Sequence, residues 1–275
     1  MQQIYFGWIS LQITPQTNAL KGVTIHSTTI IPTIKSIMLR HVCCYCRKAA
    51  IYHKTLPLTT MKATIEHKGH TFQVDLSQPI DISIPLKNGT DNPTAWYVPG
   101  VKMEPVVMGD WIGEVKQGGS VNFFNITFNP HGHGTHTECV GHISKEKHSV
   151  NQCIQQFFFT AEVKSVTPQQ EGEDLIITLE SIQKDWIATE AIILRTLPNL
   201  TEKLHKKYSN SNPPFLQKEA AQFLKEQGVK HLLIDLPSLD KEVDGGILAA
   251  HHAFWDHPEN TRLDCRASSW KWKAG

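Results

Sequence analysis

A mixed α/β fold with at least one parallel strand pairing is the expectation for this chain of 275 residues, and it rests on three features. Between residues 216 and 227, Leu216, Ala220, Phe223 and Leu224 recur at helical spacing and form one apolar face. Gly228 supplies the stop, and residues 229–236 then read as a short buried strand. Upstream, residues 157–163, 175–179 and 191–194 are apolar runs bounded by polar or turn residues, each of strand length. Strand, helix and strand in that order call for a crossover, hence a parallel pair.

The elements follow in chain order. No Asp or Glu precedes Glu66, whereas Lys21, Lys35, Arg40, Arg47, Lys48 and Lys54 are all basic. An acid-free, Ser/Thr-rich leader has the composition of an organellar transit peptide. It shows no sustained amphipathic period, so we favour an extension, residues 1–60, lying outside a folded domain that starts at Met61. His41, Cys43, Cys44, Cys46 and His53 offer zinc-binding atoms, but no second Cys-x-x-Cys pair stands at finger spacing. Residues 71–77 alternate like a strand and stop at Pro79. A loop rich in Asn, Gly and Pro, residues 87–100, carries Trp96 and Tyr97. Residues 121–128 are strand-like and lead straight into a histidine cluster.

That cluster runs Asn129-Pro130-His131-Gly132-His133-Gly134-Thr135-His136-Thr137-Glu138-Cys139-Val140-Gly141-His142. Imidazole and carboxylate are the donors that zinc or manganese take among nitrogen and oxygen ligands. His136 and Glu138 are two apart, so an extended backbone points both to one side. Gly132 and Gly134 free the backbone to bring His131 or His133 to the same point. A second polar concentration, residues 249–260, holds His251, His252, His257 and Glu259. A metal site often takes a short-range pair from one segment and a closing ligand from another. Residues 265–275 have no clean period and read as an atypical tail, which leaves 61–264 as the domain.

Composition excludes some partners. Lys and Arg number 27 against 26 Asp and Glu, so the net charge of +1 gives no footprint for nucleic acid or an acidic membrane. No apolar stretch has the length of a membrane span. Six scattered cysteines make no disulfide framework, which suits a reducing, cytoplasmic setting.

The residues from Gly134 to His142 resemble the H-x-G-T-H-x-D-x-P-x-H motif of the cyclase family, which includes the bacterial metal-dependent kynurenine formamidases. Three further stretches agree in order. Asp75-Leu76-Ser77-Gln78-Pro79 is similar to the family's early D-L-S-x-P, and Leu194-Arg195-Thr196 to its L-R-T strand end. Residues 215–224 followed by Ile234-Asp235-Leu236-Pro237-Ser238-Leu239-Asp240 are similar to its helix and D-x-P-S-x-D loop. The resemblance implies a swivelling β/β/α domain, a mixed sheet with flanking helices, holding one or two divalent ions, zinc or manganese. It makes His131, His136, Glu138 and His251 metal ligands and His142 the catalytic proton-transfer residue.

Three departures accompany it. The family's first histidine falls on Gly132, so His131, or else His133, has to serve. Glu138 stands where the family has Asp. A late family glutamate, on a strand after the second histidine, has no counterpart beyond Asp264, where Asp and Glu are absent; Glu259 is the alternative. The implied activity is hydrolysis of an aromatic amide, first N-formylkynurenine, by a homo-oligomer. Trp96, Tyr97 and Phe254 are candidates to hold the ring. A cyclic amide such as isatin is the alternative substrate, and a metal-binding chain of weak turnover is the third reading. No Gly-x-Ser-x-Gly elbow is present, which argues against a serine-dependent formamidase.

Overall fold

The computed structural model describes residues 9–12, 23–27 and 61–269. In chain order the strands are β1 (Ile9–Gln12), β2 (Val23–Ser27), β3 (Lys62–His67), β4 (His70–Asp75), β5 (Lys102–Pro105), β6 (Val107–Met108), β7 (Trp111–Ile112), β8 (Phe124–Thr127), β9 (His136–Glu138), β10 (Phe158–Val166), β11 (Gln169–Glu171), β12 (Asp174–Ile177), β13 (Ala191–Thr196), β14 (Phe215–Leu216), β15 (His231–Ile234) and β16 (Arg266–Ser269). The α-helices are α1 (Pro130–His133), α2 (Val150–Cys153), α3 (Leu179–Gln183), α4 (Lys218–Glu226) and α5 (Ala249–Trp255). A seven-stranded sheet in the order β1-β2-β10-β13-β15-β16-β9 organises them. Its centre, β10-β13-β15-β16, is parallel, and β9 closes one edge antiparallel.

Both faces of this sheet are covered, which explains the unbroken apolar runs. On β13, Ile192 and Leu194 join a cluster with Leu224 of α4 and Phe254 of α5. The alternate residues Ala191 and Ile193 pack with Ile82, Phe159 and Leu233 on the other face. Leu179 departs from the expected strand 175–179. Thr178 caps α3 by accepting from Ser181 N at 3.3 Å, so Leu179 opens a helix.

Two expectations at the ends need correction. In the leader, β1 pairs with β2, and β2 continues the sheet at the edge of β10. Val23, Thr24 and Ile25 are β-branched, a composition suited to strand. These two segments are therefore sheet, while His41, Cys43, Cys44, Cys46 and His53 lie outside the described residues. In the tail, Arg266–Ser269 is no appendage. It is a fully buried strand between β15 and β9. Its polar sequence hid this: Ser268 Oγ meets Thr137 Oγ1 at 2.9 Å and Arg266 Nη2 donates to Gln156 O at 2.5 Å, while the buried Arg266 Nε has no partner among the described residues. Among the described residues no helix is long and apolar enough to cross a membrane.

His231, opposite Arg266 in the sheet, is 5% exposed. Burial, with Arg266, Lys230 and Arg262 nearby, pushes its pKa down to about 2. An unfolded histidine titrates near 6.5, so below that pH the unfolded chain binds a proton that the folded chain refuses. The stabilisation is complete above pH 6.5 and is lost as the pH falls toward 2. About 2 kcal/mol should go between pH 6.5 and pH 5. Urea unfolding at both pH values is expected to show this loss in the wild type and a smaller one in His231→Gln. Equal losses in the two proteins would refute the assignment.

Candidate metal centre

The centre is built around Glu138, a buried carboxylate on the edge strand β9. The alternation of β9 puts His136 and Glu138 on one side, with Thr137 turned to Ser268. Four imidazoles surround the carboxylate. Glu138 Oε2 lies 3.3 Å from His131 Nδ1, 3.6 Å from His136 Nε2 and 3.7 Å from His142 Nε2. Its Oε1 lies 3.1 Å from His251 Nε2, on α5. The rings of His131 and His142 stack at 4.4 Å, and these two are the more open members, at 28% and 31% side-chain exposure.

His131 takes the position that the sequence left open between His131 and His133. Asn129 caps α1 through Gly132 N at 3.1 Å. The His133 ring is engaged elsewhere, between Asn129 N at 2.9 Å and Pro99 O at 2.7 Å. Gly132 serves here through its missing side chain rather than through an unusual φ. A Cβ at this position would stand 2.6 Å from Val98 Cγ2 and 3.1 Å from Ala95 O. The loop carrying Trp96 and Tyr97 therefore closes onto α1, and Ala95 N donates to Gly132 O at 2.9 Å. Trp96 and Tyr97 themselves have φ of 59° and 56°, two successive non-glycine residues in the left-handed region. Phe254, the third aromatic candidate, is fully buried in the core.

Ring orientation is set from behind. His136 Nδ1 meets Gly134 O at 3.0 Å, a backbone contact that fixes the ring and turns Nε2 toward Glu138. His251 Nδ1 is held by Asp240 in a very short contact, and Asp240 also accepts from Ala250 N at 2.6 Å. Asp240 belongs to the site although the sequence assigned it no role. Its available signal was a carboxylate in the loop that leaves a buried strand shortly before His251.

The charges are mutually dependent. Burial opposes ionisation of Glu138, but hydrogen bonds from His131, His136 and His251 prevail and hold it well below the usual carboxylate range. Burial likewise opposes charge on His251, yet Asp240 and Glu138 raise its pKa to about 9. Burial lowers the pKa of His142, with Glu138 acting against the shift and the neighbouring imidazoles with it.

This donor set fits a divalent transition ion. Two groups of three donors share Glu138: His131 with His136, and His142 with His251, the ligand atoms of each group lying within 4.8 Å of one another. Glu138 is common to both groups, so an ion held by either would take the same carboxylate. β16 is placed as the strand on which the resemblance puts a late glutamate, but its described residues contribute Ser268 and Ser269 beside Thr137 and His136. Glu259 is exposed and lines a surface cleft with Lys218 and Lys225. It belongs to neither donor group. His252 is engaged by His257 O at 2.8 Å and is likewise outside both.

A family model described as putative cyclase matches residues 74–241. A kynurenine formamidase of Bacillus cytotoxicus is 29% identical over 201 residues, covering 70% of this chain and 82% of the relative. A kynurenine formamidase of Bacillus mycoides is 31% identical over 207 residues, covering 68% of this chain and 84% of the relative. Among solved structures, a potential metal-dependent hydrolase with cyclase activity aligns at a TM-score of 0.49 and 14% identity, over 69% of this chain and 79% of that one.

Proposed function

Because the chain belongs to the cyclase family, we propose that its centre hydrolyses the carbon–nitrogen bond of an N-formyl aromatic amine, with N-formylkynurenine as the substrate. Water adds to the formyl carbon, the C–N bond breaks, and formate and the free amine leave. The observation that carries this reading is the single buried carboxylate ringed by four imidazoles. The two kynurenine formamidases, at 29% and 31% identity, support the substrate.

His131, His136, Glu138 and His251 would hold zinc or manganese, which when bound acidifies water and polarises a carbonyl. The remaining work belongs to the chain. Gly134 O and Asp240 fix the rings of His136 and His251. His142 stands at the open side, and its lowered pKa keeps it neutral at pH 7. Its Nε2 accepts the proton of the attacking water and returns it to the leaving nitrogen. Trp96 and Tyr97, beside α1, are proposed to flank the aromatic ring.

The purified chain, supplied with zinc or manganese, is expected to release kynurenine from N-formylkynurenine. His142→Ala should retain its metal and lose about 10²–10⁴ in rate. Loss of metal from that variant would make His142 a ligand, and absence of formamide hydrolysis by the wild type would refute the substrate.

One observation favours a second reading, a metal-holding chain of weak turnover. The described part of β16 brings no carboxylate to the centre, so two ions would share a single negative ligand. With Glu138 the one carboxylate common to both donor groups, the chain would neutralise one ion better than two. Metal content and rate together separate the readings: fast release of kynurenine by the metal-loaded chain favours the first, and retained metal with slow turnover favours the second.

A further inference from the structure

Cys139 and Cys153 are free thiols that the fold brings together, and the hydrolysis described above uses neither. Cys139 follows Glu138 directly and is 3% exposed. Its Sγ faces the chain at His148, whose carbonyl oxygen lies 3.5 Å away. From there Ser149 leads into the single turn of α2, where Cys153 N donates to Ser149 O at 3.0 Å. That turn returns the half-buried Cys153 to Cys139, and the two thiols are hydrogen-bonded to each other. Their surroundings have no slack. A Cβ at Gly141 would stand 2.2 Å from His148 O, so the chain after Cys139 lies hard against His148. His142 N donates to Cys139 O at 2.9 Å. The backbone of Cys139 thus carries Glu138 on one side and holds His142 on the other.

We propose that Cys139 and Cys153 are a redox site, which a small-molecule disulfide converts to an intrachain disulfide, and that closing this bond draws Glu138 out of register with its four imidazoles. The sulfur of Cys153, the more open of the two, attacks the small disulfide; one thiol leaves and a mixed disulfide remains on Cys153. Cys139 Sγ then attacks Cys153 Sγ and expels the second thiol. Two electrons and two protons pass from the protein pair to the small disulfide, which departs as two thiols. Burial and the Cys139 thiol push the Cys153 pKa up to about 11, with the Arg266 guanidinium acting against them, so the exchange is slow and takes hours. To bond, the sulfurs must close to ~2.05 Å. Cys139 is packed in the core and the chain beyond it is wedged on His148, so the contraction falls on the backbone beside Glu138. A displacement of about 1 Å can cost a catalytic centre roughly 100-fold. This second half rests on the proposed metal centre; the disulfide does not.

The test incubates the full, zinc-loaded chain with oxidised glutathione and digests it with trypsin. Cleavage after Lys116, Lys145, Lys147 and Lys164 puts Cys139 on residues 117–145 and Cys153 on residues 148–164. Mass spectrometry is expected to find these two peptides joined, and reduction to part them. Before digestion, the oxidised chain should have released zinc and lost at least about 10-fold in rate on N-formylkynurenine. Reduction followed by fresh zinc should restore both. Cys153→Ser, which leaves the centre untouched, is expected to keep zinc and rate through the same treatment. Peptides that stay separate, or Cys153 joined instead to glutathione or to residues 41–47, overturn the redox site. Joined peptides with zinc and rate unchanged overturn the displacement of Glu138. The cross-link and the zinc content are read without turnover, so a chain inactive on N-formylkynurenine still decides both.

Discussion

Glu138→Gln is expected to empty the centre of metal and to lower turnover by about three orders of magnitude or more. Glutamine keeps the shape but removes the one negative charge that four imidazoles face. Both donor groups lose their common member, so neither retains three strong ligands. The buried side chain would moreover present an amide NH₂ to ring nitrogens placed to meet a carboxylate. Metal per chain after dialysis, measured by mass spectrometry, and the rate on N-formylkynurenine check this. Glu138→Asp, the residue that the resemblance puts here, is expected to retain metal, since it shortens the reach by one methylene and keeps the charge. Full metal occupancy in Glu138→Gln would mean that the histidines bind alone and that the carboxylate is not a ligand.

Asp235→Ala is expected to destabilise the fold by about 3–5 kcal/mol, the usual cost of removing one partner of a buried pair. The Asp235 carboxylate is fully buried at the end of β15. It accepts from Thr196 N at 3.0 Å and Thr196 Oγ1 at 2.8 Å, and Lys203 Nζ stands 2.8 Å away. Alanine would strand the Thr196 N–H and leave the Lys203 ammonium, 13% exposed, without a counter-charge. The melting temperature should fall by roughly 6–20 °C for a domain of this size. Asp235→Asn, which keeps an acceptor for Thr196, should lose less. A drop of under about 2 °C in the alanine variant would show that the network contributes little to stability.

The apolar runs at residues 191–194 and 229–236 and the helical face of residues 216–227 announce elements that the structure contains as β13, β15 and α4. They were legible because a strand buried on both faces must be apolar throughout, and a helix buried on one face must repeat every three or four residues. Burial there is a local property and leaves a local record. The spacing of His136 and Glu138 was legible for the same reason, since a strand's alternation alone puts both on one side. β16 was missed because its polar side chains are buried against segments far away in sequence, Arg266 Nη2 donating to Gln156 O, 110 positions distant. Periodicity has no means of recording that.

The amino-acid sequence by itself determined the mixed α/β class, the main strands and the donor types gathered between His131 and His142. Only the tertiary structure decided that His131 rather than His133 turns to Glu138, that Asp240 stands behind His251, and that Phe254 belongs to the core. It also decided that Glu138 and His251, 113 positions apart, meet at 3.1 Å. Local pattern reports how one segment is buried, whereas a contact between segments depends on sheet order and loop path. Those are set by the packing of the whole chain.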